Sequence, residues 1–163
     1  MAANDSIKSG LDLIGEFIVD QLVKTIDDLG HRTTGRLQDT MRSVVTSSGK
    51  GYHITIYGQD YAKYVEKGVP KGVWVSVDKL ARWVHDKGIA TGEREIKNLA
   101  YAIQRKIHDK GSVQFRENKK GFVEVTLDAN ANIIFQMVFD LFSREVAISL
   151  RNTIAKQRKI FQT

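Results

Sequence analysis

Ile7, Leu11, Ile14, Ile18, Leu22, Ile26 and Leu29 recur at three- and four-residue spacing, the period of one face of an α-helix. Leu13, Phe17 and Val23 widen the stripe, and Asp12, Glu16, Asp20, Asp27 and Asp28 take the opposite face. Asp5 or Ser6 can cap the helix and Gly30 can end it, so the pattern predicts one helix over residues 5–29. A lone helix of this length cannot bury its own stripe. The rest of the domain, or another subunit, must cover it.

The remaining chain has the means to do so. Its 163 residues suit one domain, and 42% of them are apolar. There are no cysteines, which excludes a disulfide framework and thiolate metal sites. The polar start MAANDSIKSG lacks the charged-then-apolar pattern of a secretion signal. The longest apolar-rich run, Ile133 to Phe142, contains Gln136 and Asp140 and is too short to span a bilayer, so no membrane role is expected. The net charge of +6 is uneven: through Ser48, five basic residues face seven acidic ones, so the later residues carry about +8. Such a surplus allows contact with nucleic acid or an acidic partner.

Thr33-Thr34-Gly35 opens a short second helix, Gly35 to Met41. Val44 and Val45 begin a strand, Ser47-Ser48-Gly49-Lys50-Gly51 forms a hairpin turn, and Tyr52 to Tyr57 returns with Tyr52, Ile54 and Ile56 on one face. Asp60 is placed to cap a helix by accepting from Lys63; Tyr61, Tyr64 and Val65 share its face, and Gly68 closes it ahead of Pro70. Ser76 starts a helix that Gly88 ends, and Glu93 starts another that Gly111 ends, which together make a helical hairpin. Val113 and Phe115, a turn at Asn118-Lys119-Lys120-Gly121, and Phe122 to Leu127 read as a second β-hairpin. Asp128 or Asn130 then caps a final helix from about Ala129 to Lys159. Its first half, with Ile133, Ile134, Phe135, Met137, Val138, Phe139, Leu141 and Phe142, is apolar on almost every side, the mark of a helix buried on all sides. The fold class expected is therefore α+β, with antiparallel hairpins forming a small sheet between long terminal helices.

No catalytic, metal or cofactor constellation stands out. His31, His53, His85 and His108 are scattered, and His85-Asp86 and His108-Asp109 are neighbours that do not share a helical face. Glu66 is the one acid in its short helix. An ion pair with Lys63 or Lys67, or a contact between subunits, accounts for it better than general acid–base work with His53 or His85. Arg116, Lys119 and Lys120 at the predicted hairpin tip, with the basic end of the last helix, are the candidates for contact with a phosphate backbone.

Taken in order, the long first helix, Thr34-Gly35-Arg36-Leu37 with Met41-Arg42-Ser43, the glycine-split hairpin and Tyr61-Ala62-Lys63-Tyr64-Val65-Glu66-Lys67-Gly68 form a pattern. It resembles the neck, head–tail connector and tail-completion proteins of tailed bacteriophages, whose pattern is a TGxL-type helix start, a strand and a YA-x-YVE-x-G helix. Leu80 to Gly88 and Ala102 to Gly111 look like an insertion found in many members, so the likeness spans Thr34 to Gly111. The chain departs from it in having Lys67-Gly68-Val69 where members often place Gly-Thr, and in lacking a proline-rich segment before the last helix.

The resemblance implies a single virion-connector domain over residues 1–163, with a helical insertion at 69–111 and a long helix and tail at 129–163. It implies a virion protein, assembled in the host cytoplasm, that is no enzyme and carries no cofactor. Such a protein forms a homo-oligomeric ring of sixfold or twelvefold symmetry between portal or adaptor and tail proteins, with a channel for genomic DNA. A ring needs two different faces per subunit. Tyr61, Tyr64, Val65 and Glu66 are the candidates for one, and Phe135, Phe139 and Phe142 for the other. On this reading Tyr64→Ala with Glu66→Lys leaves a folded monomer whose incorporation is impaired. The competing reading is a basic DNA-binding or regulatory module.

Overall fold

The computed structural model describes residues 2–31, 35–49 and 51–160. Thr33, Thr34 and Lys50, which enter the helix and turn expectations above, lie outside the described residues. The fold is α+β. In chain order the elements are α1 (Ala2–Asp28), α2 (Arg36–Asp39), β1 (Arg42–Ser48), β2 (Gly51–Tyr57), α3 (Ala62–Lys67), α4 (Val77–Asp86), α5 (Glu93–Lys110), α6 (Val113–Arg116) and α7 (Phe122–Ile160). The chain divides into two compact units, and α1 and α7 each contribute to both.

The first unit comprises Met1–Gln21, Arg42–Tyr57 and Leu127–Thr163. Its sheet is the hairpin β1–β2, antiparallel, with Val45 opposite Ile54 and Ser48 opposite Gly51. Along β2, Tyr52, Ile54 and Ile56 are half-buried and their neighbours exposed, the alternation that the pleat imposes. Leu11, Ile14 and Val45 form the buried centre, packed by Ile7, Ile18, Tyr52 and Ile54 and by Ile134, Met137, Val138 and Leu141 of α7. Gly15 lets α1 lie close on the hairpin: a Cβ there would sit 2.7 Å from the Cβ of Ser43 and 3.3 Å from Cγ2 of Ile54. The stripe from Ile7 to Ile18 is thus covered from within the chain, whereas Leu13 stays 64% and Leu29 40% exposed.

The second unit comprises Leu22–Met41 and Gly58–Thr126. Leu22 and Ile26, on the later turns of α1, are buried with Leu37, Val84, Ala90, Ala100 and Phe122. Thr126, fully buried, donates to the carbonyl of Phe122 (2.6 Å), and its hydroxyl is then the acceptor for that of Thr25 (2.7 Å). The helices α4 and α5 form the helical hairpin, with Ser76 before α4 and Gly88 (φ 64°) after it. The base of the segment they occupy is pinned. The Val69 N–H donates to Oγ of Ser112 (2.9 Å), and the Ser112 N–H donates to the Val69 carbonyl (2.9 Å).

The second β-hairpin is not formed. Residues 113–116 and 122 onward are helical. FVEVTL is rich in β-branched residues and favours a strand locally, but Phe122 and Thr126, four apart, both face the core and so require helix. Ser112 caps α6 by accepting from the N–H of Phe115 (3.4 Å). The last helix accordingly begins at Phe122 rather than Ala129, and Asp128 and Asn130 lie inside it instead of capping it. Nor is its first half buried on all sides. Ile134, Met137, Val138 and Leu141 meet the core, while Ile133 (50%) and Phe135 (70%) are exposed. Asp60 does not cap α3 either: Tyr61 occupies the cap position without a side-chain hydrogen bond.

Candidate assembly surfaces

Of the residues singled out from the sequence, Glu66 has a structural role and the aromatic and basic groups are largely exposed. Glu66 makes neither of the expected ion pairs. Its carboxylate accepts from the backbone N–H of Val123 (2.8 Å) and of Glu124 (3.3 Å), at the first turn of α7. A helix leaves its first N–H groups without internal partners, and a negative charge is favoured there. Gly121 precedes the helix and its carbonyl accepts from Val125 (3.0 Å), but it has no side chain with which to cap. Glu66 supplies that cap from 57 residues away. The fit requires glycine at 121, because a Cβ there would overlap both the carboxylate and the backbone carbonyl of Glu66. Gln114 ties the same turn, donating through its amide to the carbonyls of Glu66 (3.2 Å) and Lys119 (3.1 Å).

Tyr61, Tyr64 and Val65 do come together. With His31, Arg36 and Lys87 they line a cavity of about 400 Å³. Lys87 donates to the Gly30 carbonyl at its edge (3.2 Å). Burial and then the Lys87 charge hold His31 below the ordinary histidine value, against a weaker opposing pull from Glu66. Burial pushes the Tyr61 phenol up, opposed by Arg36. Lys63 sits 5.0 Å from the Tyr64 ring centre. Nothing in the sequence pairs His31, Arg36 and Lys87, which come from three separate segments.

On α7, Phe135, Phe139, Phe142 and Val146 follow one another at four, three and four residues and are 70%, 57%, 38% and 57% exposed. The rings of Phe135 and Phe139 are stacked, with centres 6.4 Å apart. This row is separate from the face that Ile134, Met137, Val138 and Leu141 turn to the core: Phe135 and Phe139 are each one residue, about 100° of helix, beyond a core-facing position. Further along, Ile148, Leu150 and Ile154 are also exposed. An ordinary surface helix carries one apolar stripe; α7 carries two.

Arg116, Lys119 and Lys120 lie at the end of α6 and in the following turn, not at a β-hairpin tip. Lys119 pairs with Glu117 (2.7 Å) and Lys120 with Glu124 (3.5 Å). The Lys119 hydrogen bond lowers the Glu117 carboxyl. Such exposed pairs are weak and exchangeable, but each neutralises a charge that a phosphate would need. His85 and Asp86, and His108 and Asp109, are in contact after all, at 3.3 and 3.2 Å, because neighbouring side chains at a helix end can fold towards each other. His108 also stacks on Trp74 with ring centres 3.9 Å apart. Among the described residues no group of three or more His, Asp or Glu is placed to hold a metal ion, and no helix is long and apolar enough to cross a membrane.

The chain matches no protein-family model and has no significant match among curated proteins or solved structures.

Proposed function

We propose that the chain is a structural protein of a tailed-bacteriophage virion, a subunit of a ring at the head–tail junction that joins portal or adaptor to tail and leaves a channel for DNA. The observation that carries this reading is the second apolar row of α7, Phe135–Phe139–Phe142–Val146, left uncovered in the isolated chain. Contiguous exposed apolar surface of this kind marks interaction sites. The order of the TGRL, hairpin and YAKYVEKG segments supports the phage assignment.

The size of the row bears on how the subunits associate. The exposed parts of Phe135, Phe139 and Phe142 amount to between one and two whole side chains, or about 3–5 kcal/mol gross on burial. Association costs on the order of 4–15 kcal/mol. The row alone does not hold two copies together, and a closed assembly, in which every subunit is held at two faces, meets that cost better. The reading as a DNA-binding module draws less support, since Lys119 and Lys120 are engaged by carboxylates.

Mass photometry of the purified chain tests the proposal. A discrete high-mass species that collapses to monomer in Phe139→Asp is expected. A wild-type chain that is strictly monomeric at high concentration and absent from purified particles refutes it.

A further inference from the structure

The second unit carries an apolar groove of about 480 Å³, lined by Leu80, Trp83, Ile103, Ile107 and Val113 together with the cations Lys106 and Arg116. Trp83 is 40% and Val113 49% exposed. It shares Trp83, Ser112 and Gln114 with the tyrosine cavity but opens along α4, α5 and α6. Every charged residue that lines this groove is basic. On α7, every charged residue from Phe122 to Phe142 is acidic: Glu124, Asp128 and Asp140. Row and groove are thus both apolar, and they are opposite in charge.

We infer that the occupant of this groove is a second copy of the chain, seated through its Phe135–Phe139–Phe142 row. The three rings span seven residues of helix, roughly 10 Å. Asp128, exposed and seven residues before Phe135 and so on the same face of α7, then meets the field of Lys106 and Arg116, which fixes orientation more than it adds affinity. The contact joins two different faces, so it is heterologous: a copy bound through its row still offers an empty groove to the next. Two rows packed on one another would juxtapose acids and terminate at a dimer. The inference rests on the self-assembling reading proposed above and names the surfaces that reading uses.

The absence of cysteine makes the test direct. Phe139→Cys and Val113→Cys are prepared separately in the full chain, their assembly is measured by mass photometry, and each is treated with a short bismaleimide, alone and mixed. The expected result is a crosslinked dimer in the mixture and none in either variant alone. Crosslinking of Phe139→Cys with itself would show row-on-row packing and overturn the inference. Assemblies that form without a crosslink in the mixture would also overturn it, while the self-assembling reading stands. Monomers in every sample would overturn the inference, and would overturn the self-assembling reading too where the wild-type chain is also monomeric and absent from purified particles. A second measurement excludes a trivial loss of folding. Phe139→Asp and Val113→Asp, each monomeric alone, should form a one-to-one dimer when mixed, because one intact row and one intact groove remain; persistence of monomers there counts against the inference.

Discussion

Replacing Glu66 by alanine removes the cap of α7 and nothing else of comparable size. Val123 and Glu124 would lose the acceptor that now lies 2.8 and 3.3 Å from their N–H groups. A hydrogen bond to a charged group contributes about 1.5–3 kcal/mol. The shorter contact counts near that range and the longer one for less, and the half-buried position of Glu66 moderates both. Loss of a conventional cap costs about 0.5–2 kcal/mol. We therefore expect Glu66→Ala to destabilise the chain by about 2 kcal/mol, and Glu66→Gln, which keeps an acceptor but not the charge, by about half as much. The consequence reaches the core, because the turn that frays carries Phe122 and Thr126, both fully buried. In urea the midpoint should fall by about 1 M, taking a slope of about 2 kcal/mol/M. Hydrogen exchange at Val123 and Glu124 should speed up at least tenfold, a factor equivalent to about 1.4 kcal/mol. Lys63→Ala and Lys67→Ala serve as controls and should stay within about 0.5 kcal/mol of wild type. An unchanged midpoint with undiminished protection at Val123 would refute the capping role. Glu66→Lys, which the sequence alone presents as a clean surface change, instead sets a cation against the positive end of a helix; incorporation is better probed with Tyr64→Ala by itself.

Three further outcomes are expected. Gly121→Ala should cost about 1–3 kcal/mol by thermal or chemical denaturation, and Glu66→Ala should rescue it only in part, because the new Cβ also meets the backbone carbonyl of Glu66. Gly15→Ala should cost a similar amount, since the atom it meets, the Cβ of Ser43, is fixed by its strand; a variant as stable as wild type would show that α1 can shift on the hairpin. The depressed His31 value means that the unfolded chain binds its proton first as pH falls. Stability should therefore be fully present above about pH 6.5 and decline as pH drops from there towards the folded value. His31→Gln should flatten that part of the pH profile, and an NMR titration of the His31 ring should show a midpoint below that of a free histidine.

The sequence by itself determined the long first helix, the β1–β2 hairpin, the helical hairpin and the existence of a long last helix. In each, the signal is local: a three–four or alternating period of apolar residues, bounded by glycine or a capping residue, fixes the backbone whatever surrounds it. The doubled apolar face of α7 was legible too, as residues apolar in every direction, although which face the chain covers and which it leaves open depends on where the hairpin and α1 lie. Tertiary structure decided the rest. Residues 122–127 favour a strand by propensity and become helix because Glu66, distant in sequence, satisfies their first N–H groups and because Phe122 and Thr126 are buried together. That long-range contact turned Glu66 from a surface charge into a cap, and separate tertiary contacts brought His31, Arg36 and Lys87 around Tyr61 and Tyr64. Contacts of this kind leave no period in the sequence: a cap is one acceptor at the right distance, and only the folded chain sets that distance.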